Sequence, residues 1–296
     1  MNDNKHVDRI ALTRSVTQEE VDTFWRNGVV CLRSILPVDF VASMAGPVED
    51  ALNGTAMANL SEMADALESG SGAVRIVDDA VVSSEVPRGH FKAGTDHWLV
   101  QQEFRDFALR SPLPEIVALL LRSDEVRLYE DSVLVKEPGT QEKTGYHQDM
   151  AYFHLDGNLV CTTWVPLDVV TAEMGAVRFL VGSHKDATTY RPNMFVSEMS
   201  IPGTEGAEVP NYDTNLGEAR IISFDTAPGD ITVHHARTIH GARGNASTTQ
   251  RRRAISVRYA GDGTTFKTVP GAPVKAHHSG FTDGDALGNA CPLAWP

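Results

Sequence analysis

The sequence predicts a mainly β protein with flanking α-helices, its strands closing into a sandwich or barrel. Two observations carry this. From Ser123 onward, short runs rich in Val, Ile, Thr and aromatic residues recur between Gly, Pro and Asp turns. Many short strands with turn signals suit a sandwich or closed barrel better than a doubly wound sheet. Helical patterning, by contrast, is confined to the first part of the chain. Thr17-Gln18-Glu19-Glu20 fits a capping box, and Asn27-Gly28 stops the helix it opens near Arg26. Gly28–Leu32 then reads as a short buried strand. A second helix is expected from about Pro37, a favoured first helical position, to Leu52. A third covers Leu60–Glu68 and breaks at Gly70–Gly72, and Pro114–Leu121 is a fourth. The expected strands are Val126–Lys136, Leu159–Val165, Val177–Leu180, Ile221–Phe224, Asp230–His235 and Ala254–Tyr259. Thr188–Glu218 is long, polar and punctuated by Pro and Gly, the pattern of a lid or binding loop. Pro270–Pro296 reads as a surface-wrapping tail. With no repeat and no linker, the 296 residues are expected to form one domain: a helical part over about 1–125, a β core over about 126–260, and the tail.

Composition narrows the function. Asp plus Glu number 39 against 26 Lys plus Arg, a formal charge of −13. A nucleic-acid binder needs a basic face, and Arg251-Arg252-Arg253 is too short to supply one. No apolar run approaches the roughly 18–20 residues of a membrane span. The first residues, Met1–Lys5, lack an apolar signal core, so the expected location is the cytoplasm. Cys31, Cys161 and Cys291 are widely separated, which is neither a disulfide framework nor a metal-binding pair. They read as free thiols.

The chemistry lies in the histidines. His147-Gln148-Asp149 follows Tyr146 at the edge of a β-rich segment. In extended chain, residues i and i+2 point the same way, so His147 and Asp149 can face one point while Gln148 turns away. About ninety residues later a strand runs from the Pro228-Gly229-Asp230 turn into a segment holding His234, His235 and His240, followed after about a dozen residues by Arg252. Two imidazoles and one carboxylate make a facial triad, leaving half an octahedral shell open, and this suits non-haem Fe(II). A structural zinc site would instead close its shell with four protein ligands. An arginine downstream offers a planar fork for the distal carboxylate of a chelating co-substrate.

Four blocks then carry a resemblance: Tyr146–Phe153, Thr163–Asp168, Met174–Lys185, and Pro228-Gly229-Asp230 through His240-Gly241 to Arg252–Ser256. In this order, over about residues 126–260, the chain resembles the phytanoyl-CoA dioxygenase family of Fe(II)- and 2-oxoglutarate-dependent oxygenases. The resemblance implies a double-stranded β-helix, the cupin-like jelly-roll. It implies that His147, Asp149 and His240 bind iron, and that Arg252 holds the distal carboxylate of 2-oxoglutarate, with Arg251 as the rival. Trp164 matches an aromatic of the cofactor pocket, and Lys136 and Ser132 are expected to reach the cofactor from the preceding strand. The implied reaction consumes O2, releases succinate and CO2, and hydroxylates an unactivated C–H bond of a small metabolite. Related halogenases lack the carboxylate that Asp149 supplies. A non-catalytic binding or sensing protein on the same scaffold is the alternative.

His234 and His235 are read as packing or hydrogen-bonding residues, and Gly182–Lys185 as a turn. His277-His278 read as solvated tail. Tyr152, Phe153 and His154 are candidates for the substrate pocket, with core packing an equal alternative for Tyr152 and Phe153. The sequence leaves monomer and homodimer open.

Overall fold

The computed structural model describes residues 9–83 and 85–296. Its largest sheet is antiparallel. It runs in the order Val29–Leu32, Ile231–His235, Val160–Pro166, Arg252–Gly261, Val126–Lys136, Phe91–Thr95 and Ala58–Asn59, and Leu293–Trp295 also pairs with Val126–Lys136. A second sheet joins Thr144–His147, His240–Ala242, Val177–Leu180 and Ile221–Ser223. A two-stranded ribbon pairs Thr265–Phe266 with Leu155–Asp156. This is the expected jelly-roll, mainly β with helices on one side.

Alternation along Arg252–Gly261 explains the layering. Ile255, Val257 and Tyr259 turn outward into the main core, with Phe24, Phe107, Ile116 and Leu120 of the helices and Val133, Val165 and Val233 of neighbouring strands. Burying each such aliphatic side chain contributes about 1.5–3 kcal/mol, so this face fixes the register. The intervening Arg252, Ser256 and Arg258 consequently face the cavity inside the roll.

The helix Gln18–Asn27 starts at the Thr17 capping box and ends at Gly28, at φ +80°. A Cβ there would sit 2.4 Å from the His184 ring, so the turn also admits close packing of the Ser183–Lys185 turn. The helix expected over Pro37–Leu52 is two helices, Val38–Ser43 and Ala45–Asn53, which break at Met44. The third helix runs on to Ser71, and Gly72 rather than Gly70 ends it, in the left-handed region. The strand Phe91–Thr95 and the helix Gln102–Arg110 lie where the sequence patterning assigned neither.

The tail also differs. Leu293–Trp295 joins the large sheet, and His278, expected in solvent, is buried. Its ring stacks on Tyr129 at 5.1 Å, and Cys291 approaches it at 3.6 Å. His277 is half-buried against Trp98. An apolar slot under the tail, walled by Tyr129, Phe266 and Phe281, explains the placement.

Candidate metal centre

His147 ends one strand of the small sheet and His240 begins its neighbour, and the two are paired directly across the ladder. Gly241 permits the approach: a Cβ there would lie 2.8 Å from the Thr144 carbonyl. The rings stand 4.3 Å apart. Gln148 is extended, so Asp149, first residue of a 3-10 turn, falls on the side of His147. Asp149 Oδ1 lies 3.7 Å from His147 Nε2 and 3.8 Å from His240 Nε2. One ligand atom from each residue fits within 4.8 Å of the others, close enough for a single ion to join all three.

The surroundings prepare these atoms as ligands. His147 Nδ1–H donates to the Gly145 carbonyl at 2.7 Å, and His240 Nδ1–H to the Thr238 carbonyl at 2.9 Å. Each bond fixes the tautomer that leaves Nε2 with its lone pair. Burial pushes the imidazoles down, His147 to about 3 and His240 to about 4, so both are neutral near pH 7. Although burial opposes ionisation, the nearby histidines and Arg258 hold Asp149 well below the ordinary carboxylate range. Thr162 Oγ1 donates to Asp149 Oδ2, and His234 Nε2 lies 3.1 Å from the same oxygen. Oδ2 is thus occupied and Oδ1 is the atom presented. Two neutral imidazoles and one carboxylate oxygen, buried and facing a cavity, fit a divalent iron with an open side.

The three consecutive arginines differ in their partners. Arg251 is part-exposed and bonds Glu49 and Glu137, each at 2.6 Å. Arg253 bonds Asp168 at 2.7 Å and Glu49 at 3.1 Å. Arg252, between them, points inward and is 2% exposed, and its Nε has no partner. Its guanidinium lies 5.8 Å from the Trp164 ring. Burial lowers its pKa to about 10, leaving it charged near neutrality. Arg252 and Trp164 line one cavity with His147, Asp149 and His240. Among the described residues no carboxylate bonds this buried cation, an arrangement that is costly until an anion meets it.

The family model for phytanoyl-CoA dioxygenase matches residues 24–254. The chain belongs to the phytanoyl-CoA dioxygenase family. Membership brings iron as cofactor and 2-oxoglutarate as co-substrate, and the triad fits the iron. A stretch of 137 residues is 28% identical to a probable alpha-ketoglutarate-dependent hypophosphite dioxygenase of Stutzerimonas stutzeri. That match covers 46% of this chain and 46% of the relative, so it spans about half the relative's length. Among solved structures, the carbocyclase SnoK from nogalamycin biosynthesis superposes with a TM-score of 0.68 at 22% identity, covering 96% of this chain and 99% of that one. The epimerase SnoN, in complex with Fe3+, alpha ketoglutarate and nogalamycin RO, gives 0.62 at 24%, covering 94% and 98%. EctD from S. alaskensis gives 0.58 at 16%, covering 95% and 85%. At these identities the likeness is one of fold.

Other expected residues of this dioxygenase-family chain fall differently. Lys136 is cross-strand partner to Arg252 but is absent from the cavity wall. Its fully buried Nζ donates to the carbonyls of Glu142 and Arg243, at 2.9 and 2.6 Å, and lies 4.6 Å from the Phe91 ring. These bonds brace the strand, and Lys136 stays off the wall that Arg252 lines. Ser132 faces a second cavity, and Arg258 donates to its hydroxyl. Tyr152 and Phe153 both line that second cavity, and Phe153 also packs on Tyr129. His154 ties down the tail instead: it accepts from the Val269 N–H at 3.0 Å, and its Nε2 meets the Pro273 carbonyl at 3.1 Å. The sequence reading gave no site role to Thr162, Phe195 or Arg258. Arg258 left a signal as another position on the strand face that carries Arg252, and Phe195 lies in the loop whose Pro and Gly pattern marked a lid or binding loop. Phe195, from the 188–218 loop, borders both cavities and packs 5.1 Å from the His147 ring.

Among the described residues no helix is long and apolar enough to cross a membrane.

Proposed function

We propose that this chain hydroxylates an unactivated C–H bond of a small-molecule metabolite, consuming 2-oxoglutarate and O2 and releasing succinate and CO2. The observation that carries the reading is the buried, unpartnered Arg252 sharing one cavity with a facial triad. His147 Nε2, Asp149 Oδ1 and His240 Nε2 would hold the iron. When bound, the iron supplies the redox chemistry by which the two oxygen atoms of O2 are divided between succinate and the hydroxylated product.

The chain's own residues bind, orient and shield. Arg252 would take the distal carboxylate of 2-oxoglutarate in a bidentate pair, with Trp164 walling the slot. Ser256, on the same strand face, is within this cavity and offers a hydroxyl to that carboxylate. Thr162 and His234 hold Asp149 in one orientation, which keeps a single carboxylate oxygen on the metal side. Leu134 and Phe195 border both cavities and exclude water where co-substrate and substrate meet. The 188–218 loop, which supplies Phe195, is the proposed lid. Asp149 favours oxygen transfer over halogenation, since its carboxylate occupies the position a halide would need.

The test has two stages. Anaerobic addition of Fe(II) and 2-oxoglutarate should raise a weak charge-transfer absorption in the visible, absent from His147→Ala. Succinate release in air should then depend on one member of a metabolite panel, with a product heavier by one oxygen. A missing band in wild type would overturn the cofactor arrangement. A cyclised, epimerised or desaturated product would overturn hydroxylation alone. Tight Fe(II) and 2-oxoglutarate binding without succinate from any compound would favour the binding-protein alternative.

A further inference from the structure

The second cavity, about 420 Å³, shares His147, Asp149, Leu134, Phe195 and Arg258 with the first, but Arg252 does not line it. Its volume lies within the range of small-molecule pockets. Much of the wall is apolar, including Ala58, Leu60, Ala93, Leu134 and Phe195. Among the described residues Arg258 is the one Lys or Arg side chain on it, and Glu130 borders it too. This residue shares the inward face of the Arg252–Gly261 strand, and its side chain is 11% exposed. The strand register against Val126–Lys136 shifts directly after it, between Arg258 and Tyr259. Such breaks in the ladder are frequent beside active sites.

The partners of Arg258 are incomplete. Its Nη1 donates to the neutral hydroxyl of Ser132 and stands 3.5 Å from Glu130 Oε1. Glu130 is already claimed: its Oε2 meets the ammonium of Lys275, which also bonds Asp96 at 2.5 Å. The buried Nε of Arg258 has no partner. The guanidinium thus keeps unused, oriented donor capacity in an apolar cavity, where an arriving oxyanion gains the most from a planar fork.

Building on the proposed oxygenase reading, we infer that Arg258 is a substrate-binding residue and that the substrate is a small compound pairing an apolar body with one oxyanion group, a carboxylate or a phosphorus oxyanion. The anion seats on Arg258, and the apolar part lies against Leu60, Leu134 and Phe195, beside the metal ligands. Two arginines on one strand face then divide the work: Arg252 for the co-substrate, Arg258 for the substrate.

The test uses wild-type protein loaded with Co(II) and saturating 2-oxoglutarate, so that the metal and Arg252 are already engaged. Calorimetric titration compares hexanoate, hexylphosphonate and the neutral hexanamide. At least one of the two anions should bind tenfold or more tightly than the amide, and the tighter of them names the oxyanion. Arg258→Met should remove that preference, while Arg258→Lys should restore part of it. The inference is overturned if hexanamide binds as well as both anions, or if neither anion binds below about 10 mM. It is equally overturned if Arg258→Met weakens 2-oxoglutarate tenfold and leaves the anions untouched, for the guanidinium would then serve the co-substrate. The wild-type comparison decides even if the variants fold poorly. Failure of Co(II) or 2-oxoglutarate to load overturns the oxygenase reading and this one with it, whereas loading without an anion preference overturns this one alone.

Discussion

Asp149 needs one oxygen free and the other restrained, and Thr162 and His234 supply the restraint. Groups that orient metal ligands in this way typically matter 10–100-fold in metal affinity. Thr162→Val should therefore weaken Co(II) binding by about tenfold, measured by competition with a fluorescent chelator, while circular dichroism stays unchanged. Wild-type affinity in that variant would remove Thr162 from the site. Arg252 poses the complementary case. Truncating one partner of a buried charge pair costs about 2–5 kcal/mol, which is roughly 30-fold or more in affinity. Arg252→Met should lose 2-oxoglutarate binding by at least that factor in an anaerobic titration and keep Co(II) binding. A change under threefold would place the carboxylate elsewhere. Arg251→Met should leave 2-oxoglutarate affinity alone, because its guanidinium is spent on Glu49 and Glu137 at the surface.

At the scale of elements, the 188–218 loop is latched to the small sheet by Asp213. Its carboxylate bonds Lys143 at 2.9 Å, the Tyr146 hydroxyl at 3.1 Å, and Arg178. Despite the opposing effect of burial, Lys143 and Arg178 lower its pKa from 3.8 to about 2. A depressed carboxylate pKa stabilises the fold above the ordinary value, and the contribution disappears as pH falls through the folded one. The latch should hold at pH 4 and fail near pH 2. Limited pepsin digestion at pH 4 should spare the loop in wild type and cut it in Asp213→Asn. Equal cleavage of the two at pH 4 would show that the ion pairs do not hold the loop.

At the scale of the whole molecule, the triad joins two strands and the turn that follows one of them, so a bound ion ties together segments remote in sequence. A ligand that binds only the folded state at a hundred times its dissociation constant adds about 2.7 kcal/mol of stability. For a chain of this size that is a melting shift of roughly 4 °C. Ni(II) should raise the melting temperature accordingly, EDTA should reverse it, and Asp149→Ala should show no shift. An unchanged melt in wild type would mean that the triad does not bind metal in the folded protein.

Much of this is legible in the sequence. His-x-Asp in extended chain, the strand-like run after Arg252, the capping box at Thr17 and the Pro/Gly-punctuated loop are local patterns, and local backbone geometry alone places them. Alternation put Arg252 and Ser256 on one face without saying which face was inside. Periodicity was blind to Phe91–Thr95, whose Lys92, Ala93 and Gly94 break the strand pattern, and to the slot that buries His278. The sequence by itself determined the ligand types, their order and the class of fold. Only the tertiary structure decided that Arg252 rather than Arg251 lines the cavity of the triad, that the Lys136 amine is spent on backbone carbonyls, and that Arg258 also opens onto a second cavity. Those outcomes depend on which partners reach each charge across strands far apart in the chain, and a cation's role is set by whether an anion already meets it.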